Sequence, residues 1–363
     1  MQAKEYQIEA KRTSRINWEN KNGPDVAVLG IIGEIGSLAS VIKKHQRDGE
    51  YYASFEEDFL EESGDVLWYV TTIATRVGLT LDNWPSVGAT YADMFAGLYG
   101  LHRKIVELTS ARDVFVSPRV ADAEELKPLI FDILADLQGM LDFRSTSLAD
   151  IAQSSCDKIL SYWCEFSKYP ARSFDSKFPW YEQLPRKFTV DFIDIVPGET
   201  LIMILNGMQI GDRLTDNSYM EDGYRFHDVF HLAGAVTLGW SPVFRRMIKA
   251  KRKSDKQKDE VEDGARAAII EEAVINHIYD YARPKFLKGM KRVDLDLIKR
   301  IQNLVRGYEV QECEPWEWQY CILKSYEMFR LLIEHGGGRL YLNADERSMQ
   351  FQPLDKEYSE FYR

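Results

Sequence analysis

Residues 55–70, FEEDFLEESGDVLWYV, set six carboxylates ahead of an apolar run, and that abrupt change of character constrains the fold more than any other stretch. The pattern predicts a helix from about Phe55 to Val77, because acidic residues in a first turn suit the helix dipole and apolar residues then recur at helical spacing. Glu56, Glu57 and Asp58 read as a solvated helix start. Glu62 and Asp65, three apart, share a face, and Glu61 and Asp65, four apart, share its neighbour. Val66, Leu67, Tyr69 and Val70 follow at once, so Asp65 stands where the helix enters a core. Carboxylates withdrawn from water need a counter-charge, and a hard cation with oxygen ligands supplies one.

A second helix is expected over 25–45, DVAVLGIIGEIGSLASVIKKH, with Asp25 after a Gly-Pro and basic residues at its end. Glu34 lies on it between Gly33 and Gly36, small residues that permit a close approach. Glu34, Glu62 and Asp65, from two antiparallel helices, would make a site for Mg²⁺ or Mn²⁺ that polarises a phosphoryl group and activates water. Glu61 joins them as a candidate catalytic residue. Lys43 and Lys44 are placed to steer a polyphosphate, and Trp68 is a weak candidate for stacking a base, its position in an apolar helix suiting a core role more. Trp84, Trp316 and Trp318 carry the same two readings.

The segment LGIIGEIGSLASVIKKH from Leu29 is echoed by AGLYGLHRKIVELTSAR from Ala96, with Gly30 and Gly33 matched by Gly97 and Gly100. EESGDVLWYV is likewise echoed by ILADLQGMLD, with Asp65 against Asp136. The echo lacks the acids: Leu101 stands for Glu34 and Ile133 for Glu62. Two helical hairpins in tandem would build one bundle, the second a structural partner.

The pattern breaks at 164–187, where three prolines and mixed aromatics suggest a domain boundary. A mainly α fold is therefore expected: a helical domain over 1–170 made of two repeats (about 1–90 and 91–170, the second degenerate), a linker over 171–187, and a mostly helical domain over 188–363 with a small β element. In the latter, FTVDFIDIVPGETLIMILNGMQIGD alternates like strands around a turn at Asn206-Gly207. Helical periodicity runs from about Tyr224 to Glu334, the glycines 336–338 end it, and RLYLN and SMQFQ form a closing strand pair.

This half holds a second polar cluster. Asp228 and His231 are three apart on one expected helix, Glu271 and Glu272 lie on another, and Arg266 is near in sequence. They read as a phosphohydrolase centre or a regulatory nucleotide pocket, or else as satisfied core residues. The eight basic side chains of RRMIKAKRKSDKQK, 245–258, face a small phosphorylated ligand or solvent.

The pairing of GEIGSL with EESGDVLWYV resembles the MazG-like branch of the all-α nucleoside triphosphate pyrophosphohydrolases, whose signature is ExxE on one helix and ExxD on the next. The ExxD half is intact as Glu62 and Asp65. In the first half Glu34 stands for the first acid, and Ser37 replaces the second. The resemblance implies Mg²⁺-dependent splitting of (d)NTPs to monophosphate and pyrophosphate, with a nucleotide substrate and a homo-oligomeric assembly. Residues 188–351, through GDRLTDN, DGYRFHDVFHLA, EDGARAAIIEEA and PWEWQYCIL, are similar to the C-terminal domain that accompanies some MazG-like proteins. Ser37 leaves open a weakened nucleotide-binding sensor or interaction module, and the second cluster leaves open an enzyme centred in the C-terminal half. Pool cleaning, alarmone turnover and nucleotide depletion during phage conflict are all compatible roles.

Composition narrows the field further. Of 363 residues, 45% are hydrophobic and 28% charged, a globular composition. A net charge of −11 argues against nucleic-acid binding. No apolar run reads as a membrane span and the charged N-terminal stretch does not read as a signal peptide, so a cytoplasmic protein is expected. Cys156, Cys164, Cys313 and Cys321 form no CxxC pair, and no Walker, Rossmann, nucleophile-elbow or HExxH motif occurs.

Overall fold

In the computed structural model, which describes residues 1–162, 172–219 and 221–362, the chain divides into two units, Met1–Leu160 and Ser161–Arg363. The expected domain boundary begins at Cys164 and the expected first domain ends at 170; both positions lie outside the described residues.

The first unit is helical: α1 (Ala3–Thr13), α2 (Gly23–Asp48), α3 (Phe55–Arg76), α4 (Met94–Ser110), the short α5 (Arg112–Val116), α6 (Val120–Asp142) and α7 (Leu148–Tyr162). α2 starts with Pro24 in its first turn, where a missing N–H costs nothing. It runs beyond the expected 25–45 at both ends, and a 3₁₀ turn at Gly49–Tyr51 carries the chain into α3. The two helices pack along each other, as do α4 and α6. Ile31, Ile35 and Leu38 of α2, Phe59, Val66 and Val70 of α3, Leu101 of α4, and Ile133 and Leu137 of α6 share one core. Gln7 of α1 ties down the loop after α3, its amide donating to the Leu79 carbonyl at 2.7 Å and accepting from the Leu81 N–H at 2.9 Å.

Contrary to the sequence reading, α2 with its following turn, Gly23–Tyr51, is by length and composition long and apolar enough to cross a membrane. Glycines and Glu34 interrupt the run, so the sequence shows no unbroken apolar stretch of that length. Its inner face is in the core, whereas Val26, Leu29 and Ile32 on its outer face are exposed.

The second unit sets helices on a five-stranded antiparallel sheet, β1 (Lys187–Val196), β2 (Thr200–Leu205), β3 (Met208–Leu214), β4 (Gly337–Asn343) and β5 (Ser348–Gln352), in the order β3-β2-β1-β4-β5. The β2–β3 hairpin turns at Asn206 and Gly207, with φ of 51° and 80°, as a two-residue turn between twisted strands requires. The expected closing strand pair is instead part of the same sheet, because β4 pairs with β1 along its length, Phe192 opposite Gly338. Gly337 permits that approach: a Cβ there would lie 2.4 Å from the Phe192 carbonyl oxygen.

The helices are α8 (Asp228–Ala233), which continues into a π-helical turn at Gly234–Leu238, α9 (Pro242–Met247), α10 (Lys256–Val261), α11 (Ala265–Ala282), α12 (Leu295–Leu304), α13 (Pro315–His335) and α14 (Lys356–Phe361). One sheet face, with Val190, Phe192, Met203 and Leu340, packs against α8, α11 and α13. The other, with Ile193, Ile202 and Ile204, takes Leu354 and Tyr358.

Two sequence expectations need correction here. Residues 172–187 are not a linker: Asp175, Glu182 and Leu184 are buried in the second unit. The basic run 245–258 is only partly a solvated end: Arg246, Lys249, Lys253 and Lys256 are exposed, but two of its arginines are not. Arg245 and Arg252 are fully buried, Arg245 donating to Asp175 at 2.6 Å and Arg252 to Asp263 and Glu309 at 2.7 Å each. Lys251 and Lys258 pair with Asp259 and Glu309. Buried guanidinium groups are tolerated because carboxylates from distant segments neutralise them. Among the described residues Cys156, Cys313 and Cys321 are buried free thiols.

Candidate functional sites

The α2–α3 pair brings Glu34, Glu62 and Asp65 together, with one carboxylate oxygen of each lying within 4.8 Å of the others. All three side chains are half-buried rather than fully withdrawn from water. A set of oxygen donors open to solvent suits a hard divalent cation. A protein cation already stands beside them. Lys158 of α7 donates to both oxygens of Asp65, at 2.7 and 3.0 Å, and to Glu61 at 3.0 Å. Burial alone would lower the lysine's pKa, but Asp65 and Glu61 outweigh it and hold it above the ordinary value.

Tyr69, one turn past Asp65, is pushed up by burial and by the nearby charges of Glu34 and Asp65. Its ring lies over Gly30, where a Cβ would meet it at 2.2 Å. Of the three glycines around Glu34, Gly30 is the one that packing requires, whereas Gly33 and Gly36 face open space. Ser37, at the position of the second ExxE acid, is half-buried.

The echoed hairpin repeats part of this arrangement. Lys104, which aligns with Ser37, donates to Asp136 at 2.8 Å, and Asp136 aligns with Asp65. A lysine therefore answers the helix-entry aspartate in both hairpins, supplied from α7 in one and from α4 in the other.

Of the remaining N-terminal candidates, Lys43 is exposed and the Lys44 ammonium sits 3.7 Å over the Tyr52 ring. Trp68 is half-buried and edge-on to Tyr69. Trp84 donates to the Met1 carbonyl at 2.9 Å, and Trp316 and Trp318 are core residues. A separate cavity of about 340 Å³ is lined by Lys11, Trp18, Thr72, Thr75 and Arg76.

In the second unit, a buried cluster joins α8 to α11. Asp216 organises the approach to it, accepting the N–H groups of Asp222, Gly223 and Arg225 and the Arg225 guanidinium. Burial would raise the Asp216 carboxyl, but these donors hold it below its ordinary range. His227 then stacks on Tyr224, with ring centroids 4.3 Å apart, and places Nδ1 2.8 Å from the Tyr224 carbonyl. Its Nε2 lies 3.3 Å from Asp228 Oδ1.

His231, one helical turn on, is fully buried. Its Nδ1 is 2.8 Å from Glu271 Oε1, and its Nε2 is 3.3 Å from Glu272 Oε1 and 3.8 Å from Asp228 Oδ1. Glu271 also accepts from Ser241 Oγ at 2.6 Å and the Val243 N–H at 2.9 Å. Burial pushes the Asp228 carboxyl up. Burial acts to lower His231, but Glu271, Glu272 and Asp228 overcome it and raise the imidazole well above its ordinary value.

The structure thus gathers Asp228, His231, Glu271 and Glu272. Arg266 is exposed and stays outside, since five residues of helix turn it away from Glu271. Sequence reasoning missed two participants. Lys158 carries no motif at all, and His227, although next to Asp228 in sequence, takes its role from a contact with the Tyr224 carbonyl.

Comparison with known proteins adds three findings. Residues 169–355 match the family model described as the MazG C-terminal domain. The Gene 37 protein of Mycobacterium phage L5 is 32% identical over 87 residues, which are 22% of this chain and 73% of the phage protein. No solved structure matches the chain.

Proposed function

The chain belongs to the MazG C-terminal domain family, and from that premise we propose that it is a nucleotide pyrophosphohydrolase, splitting (d)NTPs or related nucleotides to a monophosphate and pyrophosphate with Mg²⁺ or Mn²⁺. Family membership itself suggests the coarser role, nucleotide handling. The observation that carries the finer one is the convergence of Glu34, Glu62 and Asp65 from two packed helices. These three would hold the ion, and their all-oxygen donor set fits it. When bound, the ion supplies positive charge against the phosphate oxygens that gain charge in the reaction.

The chain's own residues supply the rest. Glu61 is placed to orient water and take its proton as the water oxygen attacks phosphorus and the bond to the pyrophosphate leaving group breaks. Lys158 fixes Glu61 relative to Asp65 by donating to both. Lys43 and Lys44 steer the triphosphate. Thr72 lies two turns beyond Asp65 on the same face of α3, about 10 Å along the axis. The cavity around Trp18, Thr72 and Arg76 therefore suits a nucleoside, and Trp18→Ala is expected to raise KM more than it lowers kcat. An unchanged KM would remove that pocket.

The accompanying fold reading is a tandem of two all-α hairpins, the second degenerate. The Lys104–Asp136 pair, with its aspartate buried where the first hairpin gathers acids, supports it. Product analysis tests the proposal: monophosphate and pyrophosphate in equal amounts support it, and diphosphate with orthophosphate overturns it. A second reading, a weakened nucleotide-binding module, is favoured by Ser37 and by the lysine already on Asp65. It predicts nucleotide binding without pyrophosphate release.

A further inference from the structure

The buried cluster between α8 and α11 has a composition that a protein interior does not hold without compensation. Three carboxylates, Asp228, Glu271 and Glu272, surround two imidazoles, and among the described residues no Lys or Arg pairs with any of the three. Asp228 is 2% exposed and Glu271 4%. Uncompensated negative charge at that depth is costly.

The hydrogen bonds fix how the imidazoles face. Each Nδ1 is set against an acceptor, the Tyr224 carbonyl for His227 and Glu271 for His231, which directs each Nε2 into the cluster. A metal-ligating histidine is oriented in this way, with its outer nitrogen donating to a carbonyl or carboxylate. His231 Nε2 and Asp228 Oδ2 are buried and make no hydrogen bond of good geometry among the described residues.

The spacing points the same way. One ring nitrogen of His227, one of His231 and an Asp228 oxygen lie within 4.8 Å of one another. Three of the separations are 3.3 Å (His227 to Asp228), 3.8 Å (His231 to Asp228) and 3.3 Å (His231 to Glu272). Ligands about 2.1 Å from a tetrahedral ion stand roughly 3.4 Å apart. The Glu272 side chain is 44% exposed, so the cluster has an edge through which an ion can enter. The π-helical turn at Gly234–Leu238, directly after α8, is a local irregularity of the kind found beside functional sites.

We propose that His227, Asp228, His231 and Glu272 bind a divalent transition-metal ion of the Zn²⁺ class, with Glu271 and the Tyr224 carbonyl as the groups that position the two imidazoles. Two nitrogen donors select a borderline metal over Mg²⁺, which prefers oxygen. The ion takes the place of a proton on His231 Nε2, offsets the carboxylate charge and ties α8 to α11. This site is separate in composition from the all-oxygen set at Glu34, Glu62 and Asp65.

Cobalt substitution of the chelator-stripped full-length protein tests it. Wild type is expected to take up a single equivalent of Co²⁺ with a visible ligand-field spectrum, which Zn²⁺ abolishes and excess Mg²⁺ does not. His227→Gln and His231→Gln lose the spectrum while keeping native far-UV circular dichroism, and Glu271→Gln weakens Co²⁺ binding about 10–100-fold. Asp65→Asn leaves the spectrum unchanged, so failure of the N-terminal reading does not touch this one. No cobalt spectrum in wild type, a spectrum that survives His227→Gln in folded protein, or one lost in Asp65→Asn overturns the proposal.

Discussion

Lys158 Nζ lies 2.7 and 3.0 Å from the two oxygens of Asp65, so a cation from α7 already grips the carboxylate that the ExxD pattern assigns to metal. With both side chains about three-quarters buried, the pair is worth about 1 kcal/mol. Lys158→Met is expected to lower Tm by about 3 °C in chelator, on the scale for a domain of this size. Because the variant removes the ammonium group that Asp65 binds through both oxygens, Mg²⁺ should then raise its Tm more than it raises that of wild type. Equal Mg²⁺ responses would mean that Lys158 and the ion do not share Asp65.

Ser37 supplies no charge where the ExxE pattern has its second acid. Ser37→Glu adds a fourth carboxylate on the Glu34 helix and is expected to tighten Mg²⁺ dependence of pyrophosphate release about tenfold, or ~1.4 kcal/mol. An unchanged Mg²⁺ titration would show that position 37 lies out of reach of the ion.

Val26, Leu29 and Ile32 form an exposed apolar stripe on α2, beside the unobstructed Gly33 and Gly36. We take this as the face on which a second copy of the chain packs, since small residues let helices approach closely. Light scattering should report an oligomer for wild type and a reduced mass for Leu29→Glu. A monomeric wild type contradicts the assignment.

Asp175 anchors the segment before β1 to Arg245 and Arg186 and accepts the Leu184 N–H at 2.7 Å. Burial raises its carboxyl, but the Arg245 charge, the Leu184 N–H and Arg186 together hold it below the ordinary value. A depressed native pKa contributes stability above the unfolded value, about 3.9, that is lost as pH falls through the native one. Asp175→Asn is therefore expected to cost about 3 kcal/mol near neutrality by removing the nearest counter-charge of the buried Arg245, which keeps only the more distant Asp263 at 3.7 Å. The gap from wild type should narrow below about pH 4. Parallel denaturation curves across pH would refute this.

Local signals were the legible ones. The existence of α2 and the bounds of α3 follow from apolar spacing and acidic starts, and the Asn206-Gly207 turn from its residue pair, while α2 runs past the expected 25–45 at both ends. Pairing between β1 and β4 was not legible, because no local pattern records which distant strand completes a sheet. The burial of Arg245 and Arg252 was hidden for the same reason: their partners Asp175 and Glu309 lie far away in sequence, and a basic run looks solvated until those partners are known. At the candidate sites, helical spacing sufficed to nominate Glu62 with Asp65, and Asp228 with His231, while Glu34 entered from its place between glycines on the neighbouring helix. Lys158 was invisible because it reaches the acids from α7, and His227 because its role depends on a bond to the Tyr224 carbonyl.

The most direct measurement is pyrophosphate release from a panel of (d)NTPs with Mg²⁺, comparing wild type with Asp65→Asn and Asp228→Asn. The N-terminal assignment predicts turnover by wild type, retention in Asp228→Asn, and a loss of at least about 100-fold in Asp65→Asn, a barrier increase of about 2.7 kcal/mol. Turnover that survives Asp65→Asn but disappears with Asp228→Asn would contradict it and move the chemistry to the C-terminal cluster.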